Sequence, residues 1–346
     1  MRVLGAVLGA ALLLPNLGLA AASDDVGATA TVGDAENEAS GPKFPVGAMI
    51  IYDNSLGLGT FVADEYARNP AWSMSASIRP SLTLWERLKL SLRVDVVKNI
   101  TTSFQGNANA DASGESYMRQ MSISDVNLMA SYPEIYREPV TGIGLGAGLT
   151  AYAPTSMLSR ASNQVFALRP HAGLNWAWEG LSLGYTFFFK KNFHTTTNPT
   201  HNVDYLPNSL QFRPGGPEDL GNGEIAIGSA RNTSHLVYNS MAASYTFLDV
   251  VTLSTSLMIV NSFKYTQPLS DEYSSEYANA SGQTDLTSGG VELSYQPWEN
   301  LGFALGVTSL QTAFTADNKQ FRFPFFDFVS PGDNLTAFYF DVIGTI

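Results

Sequence analysis

The feature that most constrains the fold is a strict alternation of side chains around a minimal turn. The stretch LNWAWEGLSLGYTFFFK, from Leu174 to Lys190, alternates large apolar residues with mostly small or polar ones on both sides of Glu179 and Gly180. A period of two residues is that of a β-strand, and two such runs around a two-residue link predict an antiparallel hairpin. Apolar and polar side chains alternate in the same way in a half-buried soluble sheet and in the lipid-facing wall of a barrel. The pattern of the rest of the chain is needed to distinguish the two.

The same alternation recurs from Val46 to the C-terminus, with no segment of helical period between the runs. It predicts twelve strands, at 46–56, 71–84, 88–100, 118–132, 141–154, 164–178, 181–193, 234–247, 250–265, 285–296, 301–315 and 335–346. The phase of the fourth changes near Ser124 and Asp125, which predicts a bulge. Short and long links alternate along the chain, as in bacterial outer-membrane barrels. The sequence therefore predicts an all-β fold over residues 46–346: a twelve-stranded antiparallel transmembrane β-barrel with short periplasmic turns and long extracellular loops.

The first 45 residues are predicted to lie outside the barrel. Residues 1–22 combine one basic residue, an apolar run and three closing alanines, which is the layout of a secretory signal peptide. A membrane anchor is the alternative, which Pro15 and Asn16 disfavour because they interrupt the run. Residues 23–45 are acidic and almost without large apolar side chains, so we interpret them as a flexible periplasmic segment.

Composition narrows the functional classes. The chain has no cysteine, which excludes disulfides and cysteine metal sites. Its formal net charge of −12 disfavours binding to nucleic acid through charge. Only 14% of the residues are charged and 12% are aromatic, which suits a barrel that turns one face toward lipid. We therefore expect a protein of the Gram-negative outer membrane, surrounded by lipid and lipopolysaccharide, with no cofactor.

Strand parity predicts which face of the wall meets lipid. In the second strand Met74 and Ile78 share one face, while Ser75 and Ser77 share the other. Charges fall on the polar face, and a charge in lipid at mid-bilayer costs about 2–4 kcal/mol, so the polar face is predicted to line the lumen. The lumen residues assigned in this way are Arg79, Arg93, Asp95, Asp125, Arg169, His171, Lys190, Lys264, Glu292 and Asp341.

Two interpretations of these lumen residues are open. The charges can pair across a narrow interior and fill it, because a partly desolvated charge needs a partner. Alternatively, they line a water-filled path and bias the passage of solutes by charge.

Aromatic residues support the membrane interpretation. Trp85, Trp176, Trp178 and Trp298 all fall at the short-link ends of their predicted strands. Amphipathic rings collect at the membrane–water interface, so these residues are expected to form a periplasmic girdle.

The segment NKQFRFPFFDF is unusual because it places five phenylalanines within eight residues. Such a patch is costly when exposed, so it either folds into the barrel mouth and packs on itself or receives an apolar ligand. We interpret these residues as a candidate gate at the outer mouth: Phe321, Phe323, Phe325, Phe326 and Phe328.

The long links carry fourteen acidic and six basic residues. Their carboxylates can bridge to lipopolysaccharide through divalent cations, and simple solvation of exposed loops explains them as well.

The four histidines do not match the His-x-Ser pattern of the outer-membrane phospholipases, which also form twelve-stranded barrels. None of His171, His194, His201 and His235 has serine two residues later. Ser234 precedes His235, but adjacent strand residues point to opposite faces and are not expected to share a proton. The spacing of His194 and His201 alone would allow them to bind a metal ion. The general polarity of an exposed loop explains the presence of these two histidines better. The sequence therefore predicts no catalytic residue and no metal ligand.

The fourth and fifth predicted strands resemble those of MetA-type outer-membrane barrels. SDVNLMASY, then GIGLGAGLTAYAPT, matches a hairpin with Asp-x-x-Leu-x-x-x-Tyr, a glycine-rich return strand and a Pro-Thr rim. The resemblance, shared with FadL-like channels, implies uptake of aromatic or other hydrophobic compounds. The expectation is a passive channel or uptake protein for small solutes, apolar ones included. The alternative is a structural or surface-interaction barrel with a closed lumen.

Overall fold

The computed structural model describes residues 46–57, 72–84, 87–101, 121–197, 200–202, 218–219, 224–226, 231–266, 282–314, 319–325 and 336–346. Segments 1–22 and 23–45, and the residues Trp85, Phe326 and Phe328, lie outside these ranges, so their assignments stay predictions. Within the described ranges, no helix has the length and apolar character needed to cross a membrane.

The described residues form sixteen strands and one short helix. They are β1 (Val46–Gly57), β2 (Trp72–Leu84), β3 (Leu88–Thr101), β4 (Met121–Ile123), β5 (Val126–Arg137), β6 (Gly144–Ala153), α1 (Met157–Ala161), β7 (Gln164–Trp178), β8 (Leu181–His194), β9 (Thr200–Asn202), β10 (Glu218–Asp219), β11 (Glu224–Ala226), β12 (Thr233–Phe247), β13 (Val251–Lys264), β14 (Gln283–Trp298), β15 (Leu301–Thr312) and β16 (Ala337–Thr345).

Thirteen of these strands form one antiparallel sheet that closes on itself, because β16 pairs with β1 and β2 pairs with β3. β4 and β5 both pair with β3 and are two parts of a single wall strand. The wall therefore has twelve strands, and the predicted fold class is confirmed. β9, β10 and β11 form a separate small sheet in the long link between β8 and β12.

The fourth wall strand is interrupted where the sequence pattern changes phase. The Thr155 hydroxyl accepts the Val126 N–H at 2.8 Å and donates to the Ser124 carbonyl at 2.7 Å. The Thr155 side chain thus takes the place of backbone hydrogen bonds between neighbouring strands at this point. This substitution accounts for the predicted irregularity. The strand also ends later than predicted, at Arg137 in place of residue 132, after a second register shift beyond Tyr132.

The two faces of the wall differ as parity predicts. In β2, Ser73, Ser75 and Ser77 are buried and Ile78 is exposed. Each of the twelve wall strands exposes a large apolar side chain on its outer face: Ile50, Ile78, Leu92, Leu128, Leu149, Leu174, Leu183, Met241, Leu253, Leu293, Leu305 and Phe340. A continuous apolar belt around a closed sheet is compatible with lipid and costly in water, so this wall is a membrane wall.

Two of the short turns use residues with positive φ at both central positions. They are Glu179 (44°) with Gly180 (87°), and Leu248 (56°) with Asp249 (60°). This is the backbone of a type I′ turn, whose twist matches that of the flanking strands and so sets the register of the hairpins.

Gly180→Ala is expected to destabilise the barrel more than Gly142→Ala. Both glycines have positive φ, which costs other residues about 1–2 kcal/mol. A Cβ on Gly180 would in addition lie 2.8 Å from the Thr246 carbonyl oxygen, whereas nothing lies within 4 Å of one on Gly142. Urea unfolding of both variants measures the difference, and equal losses would contradict the contact with Thr246.

Candidate functional site: the barrel lumen

One group of inward-facing charges lies on β14, β16 and β1. Asp53 and Asp341 are directly opposed across the β1–β16 seam, are 1% and 0% exposed, and contact each other. Two carboxylates in contact repel, and a proton shared between them removes that repulsion. The Tyr339 hydroxyl donates to Glu292 Oε2 at 2.9 Å. We call these four residues the acidic wall.

The neighbouring strands β2 and β3 carry an ion pair beside the acidic wall. Arg93 Nε lies 2.7 Å from Asp95 Oδ2, and the Asp95 side chain is buried. Arg79 Nε donates to the Ser77 hydroxyl at 2.8 Å, and its charge interacts with those of Arg93, Asp95 and Asp341. This part of the lumen has the close pairing that a filled interior requires.

A second group lies on β6, β7 and β8 and is basic and aromatic. The Tyr152 ring centre is 4.3 Å from Lys190 Nζ and 5.3 Å from Arg169 Cζ. The Phe188 ring centre is 5.0 Å from Arg169 Cζ and 5.5 Å from the His171 ring centre. Aromatic faces attract cations, and the attraction grows when water is excluded, as it is around the buried Arg169 and Lys190. We call these five residues the basic wall.

The two walls lie on opposite sides of the barrel. In the order of the wall strands, β12, β13, β14 and β15 lie between β8 and β16. On the other side, β2, β3, the β4–β5 strand and β6 lie between β1 and β7. Since β14 carries Glu292 of the acidic wall and β6 carries Tyr152 of the basic wall, two strands, β12 and β13, separate the walls on one side and three, β2, β3 and the β4–β5 strand, separate them on the other. The acidic wall and the basic wall therefore face each other across the lumen.

An apolar cluster covers the inner face on one side, and parity reasoning missed it. Its members are buried: Phe188, Leu236, Tyr238, Met258, Val260, Leu286, Leu310 and Tyr339. The signal was present in the sequence, because the runs HLVY in β12 and LMIV in β13 are apolar on both faces. A run without alternation predicts a strand covered on both sides, so the lumen here is not polar.

Two predicted lumen residues have other surroundings. Asp125 is buried, but it accepts the Ser156 N–H at 2.9 Å and the Ser159 hydroxyl, and so anchors α1 above the wall. Lys264 is exposed because it is the last residue of β13, at the long-link end. Neither belongs to the acidic or the basic wall.

The side chains of Ser234 and His235, which are not expected to share a proton, lie close to each other. His235 Nδ1 lies 3.4 Å from Ser234 Oγ, a long contact at the bulged start of β12. Lys191 Nζ donates to the same hydroxyl at 2.7 Å, and the His235 ring stacks on Phe263 at 4.7 Å. A nucleophilic serine needs a neighbour that takes its proton, whereas the Lys191 ammonium donates one.

Metal-ligating residues do not cluster in the described part of the chain. No group of three or more His, Cys, Asp or Glu side chains suits a metal ion there. The His194 ring packs edge-on against Tyr265 at 5.6 Å, while the His201 side chain lies outside what the structure describes.

The described part of the phenylalanine-rich segment lies against the wall, while Phe326 and Phe328 lie outside the described residues. We call its described part, residues 319–325, the aromatic strap. The Ser309 hydroxyl donates to the Pro324 carbonyl at 2.7 Å, and Gln311 Nε2 donates to the Phe323 carbonyl. Phe325 packs beside Gly289. The strap is therefore bonded to β14 and β15.

The wall face under the aromatic strap is the outer one. The pairing of β14 with β15 has no register shift here, and Ser309 and Gln311 have the parity of the lipid-exposed Leu305. A Cβ on Gly289, which has the parity of the exposed Leu293, would lie 2.6 Å from the Pro324 carbonyl oxygen. The described strap thus departs from the predicted gate, because polar side chains on the outer face hold it there.

The short-turn end of the barrel carries three of the four predicted tryptophans, and Tyr136 lies there as well. Trp178, Trp298 and Tyr136 are exposed there, and Trp176 Nε1 donates to the Thr141 carbonyl at 3.0 Å. A closed twelve-stranded wall with an apolar belt, an aromatic girdle and a charged interior defines the class: the chain is an outer-membrane β-barrel of the Gram-negative type.

Solved structures share this fold at low sequence identity. An outer-membrane channel of the COG4313 group from Pseudomonas putida F1 is 10% identical, with a TM-score of 0.50 over 89% of this chain and 97% of that one. The NanC porin is 11% identical, with a TM-score of 0.42 over 86% of this chain and 98% of that one. The KdgM porin is 12% identical, with a TM-score of 0.39 over the same shares.

Sequence comparisons add no family. No family model matches the chain, and no curated protein matches it. The likeness to the channel from Pseudomonas putida F1 concerns the fold alone, and it does not point to MetA-type or FadL-like barrels in particular. The finer resemblance seen in the sequence is therefore not supported.

Proposed function

We propose that the chain is a passive outer-membrane channel for small solutes, with a path between the acidic and basic walls. The observation that carries this proposal is the separation of charge across the lumen. Walls of opposite sign suit a path in which water and solute pass between them. The walls are buried, which favours a narrow path.

The apolar cluster supports solutes with an apolar part. Tyr238 and Met258 lie on the inner face of β12 and β13, between the two charged walls. Apolar pocket linings with a few placed polar groups are typical of sites for small organic molecules. A solute with an apolar body and one charged end would match both features.

A barrel with a closed lumen is the second candidate function. The observation that favours it is the buried Arg93–Asp95 pair at 2.7 Å, together with the low exposure of the lumen residues. Under this alternative the charges hold the wall together and the loops carry the function. Conductance separates the two candidates, because a closed barrel passes no ions.

We expect discrete conductance steps from the purified protein in a planar bilayer, with ion selectivity set by both walls. Lys190→Gln should shift the reversal potential toward cation preference, and Glu292→Gln should shift it toward anion preference, since each removes one charge from the path. Arg87→Gln and Glu299→Gln are matched controls, because both side chains are exposed at the short-turn end.

The controls should leave the reversal potential unchanged. Absence of any conductance from the folded wild-type protein would favour the closed barrel. Shifts of the same sign for Lys190→Gln and Glu292→Gln would contradict a path between the two walls.

A further inference from the structure

We propose that Asp53, Asp341, Ser55 and Ser75 bind a divalent cation of the calcium type on the lumen side of the β1–β16 seam. This goes beyond solute passage, because the cation holds the seam closed whether or not solutes pass. Three features support it: buried oxygen atoms without hydrogen-bond donors, an apolar surface beside them, and an excess of negative charge around them. The site has two carboxylates, and hydroxyl groups supply its other protein oxygens.

The four residues are neighbours on one face of three adjacent strands. Asp341 on β16 is opposite Asp53 on β1, and Asp53 is opposite Ser75 on β2. Ser55 follows Asp53 by two residues and so points to the same side of β1. Directly opposed residues of antiparallel strands have their Cβ atoms about 4.5–5.5 Å apart. The strand pairing thus brings oxygens from three strands within reach of one cation.

Buried oxygens of these side chains have no hydrogen-bond donor among the described residues. They are Asp53 Oδ1, Asp341 Oδ1, Asp341 Oδ2, Ser55 Oγ and Ser75 Oγ. Ser55 and Ser75 are only 2% and 4% exposed, and neither hydroxyl bonds to a carboxylate of the pair. Buried polar atoms normally have a partner, so five such oxygens on one face require a group that binds oxygen.

An apolar surface adjoins these oxygens on the short-turn side. Ile51 precedes Asp53 by two residues, Ile343 follows Asp341 by two, and both are buried in one cluster with Ala304. Ala304 is also the residue opposite Asp341 on β15. Apolar surroundings lower the local dielectric, which strengthens the attraction between carboxylates and a cation.

The charges around the site favour a divalent cation. The carboxylates of this part of the lumen are those of Asp53, Asp95, Glu292 and Asp341. The guanidinium groups beside them are those of Arg79 and Arg93. Four carboxylates against two guanidinium groups leave an excess of two negative charges, which one divalent cation cancels.

A proton shared by Asp53 and Asp341 accounts for less of this arrangement. It cancels one negative charge and bonds to at most one oxygen of each carboxylate, so at least three of the five oxygens keep no partner. Ca²⁺ binds roughly six to eight oxygens in flexible geometry, whereas Mg²⁺ demands a near-ideal octahedron and retains its water. Oxygens held on three paired strands suit the more tolerant ion.

The test measures thermal unfolding of the folded full-length protein in detergent at neutral pH, in EDTA and then with added CaCl₂. Ca²⁺ at about 100 times its dissociation constant should raise the midpoint temperature by about 5 °C. Asp341→Asn should abolish this shift, and its midpoint in EDTA should equal or exceed that of the wild type, because the two carboxylates no longer repel. Ser75→Ala should require more Ca²⁺ for the same shift.

The matched control is Asp249→Asn, which removes an exposed carboxylate from a short turn and should respond to Ca²⁺ as the wild type does. Heat-dependent gel mobility should show that every variant is folded. The proposal is overturned if Asp341→Asn keeps the shift, which would assign it to the acidic long links. It is overturned equally if the wild-type midpoint rises on acidification but not with Ca²⁺, since the pair then holds a proton only. Conductance does not enter this measurement, so the channel proposal and the cation proposal fail independently.

Discussion

Met241→Arg is expected to prevent assembly of the barrel, whereas Ala242→Arg, on the next residue, is expected to assemble. Met241 is 50% exposed on the outer face at the middle of β12, and a charge at mid-bilayer costs about 2–4 kcal/mol. Ala242 faces inward and lies opposite Gly184 on β8, which leaves room for a longer side chain.

Folding into lipid vesicles, followed by heat-dependent gel mobility, measures this difference. The two variants differ by one position and carry the same new residue, so side-chain size and charge are matched and only the face changes. Equal assembly of the two variants would mean that the assignment of faces along β12 is wrong.

Asp95→Leu is expected to lower the free energy of unfolding by about 3–5 kcal/mol, the usual loss when one partner of a buried ion pair is removed. The substitution takes the carboxylate away from Arg93, 2.7 Å distant, and from the interaction with Arg79. Two guanidinium groups would then lie close together in the lumen without that carboxylate.

Glu134→Leu is the matched control, because it removes a carboxylate from an arginine pair in an exposed setting. Glu134 and Arg137 are 39% and 52% exposed in their side chains. Exposed pairs contribute at most about 1 kcal/mol, so this variant should unfold almost as the wild type does. Urea unfolding in lipid vesicles compares the two losses, and similar values would show that the lumen pair is well solvated.

The electrostatics of the short-turn end differ from those of the lumen because water surrounds these groups. Glu138, in the exposed link between β5 and β6, accepts hydrogen bonds from the hydroxyl and N–H of Thr141 and from the N–H of Val140. These bonds stabilise its charged form and hold the pKa of Glu138 below its ordinary value. The carboxylate thus organises the link without entering the path that we propose for solutes.

The sequence by itself determined the strands and their two faces, because both follow from a local property. Side chains alternate across a strand whatever its partner is, so the lipid side of Ile78 and the inner side of Ser77 could be assigned without knowing the pairing. The break at Ser124 was also visible, since it is a change of phase within one strand. The distribution of short and long links then identified the class of barrel.

The tertiary structure decided which inward residues meet. Asp53 and Asp341 come from opposite ends of the chain, and only closure of the barrel between β1 and β16 puts them in register. The same closure places Lys190 and Arg169 across the lumen from them. Pairing register and closure depend on contacts between distant segments, which a one-dimensional pattern does not contain.

The position of the aromatic strap was likewise decided by tertiary contacts. Its phenylalanines could pack in the barrel mouth, bind an apolar ligand or pack on the outer face of the wall, and composition does not distinguish these three positions. Ser309 and Gln311 distinguish these positions. Both are polar residues whose side chains point to the lipid side of the wall, so both need hydrogen-bond acceptors there. The fold brings the carbonyls of Phe323 and Pro324 over these two side chains, so the described strap lies on the outer face, where it supplies the acceptors that lipid lacks.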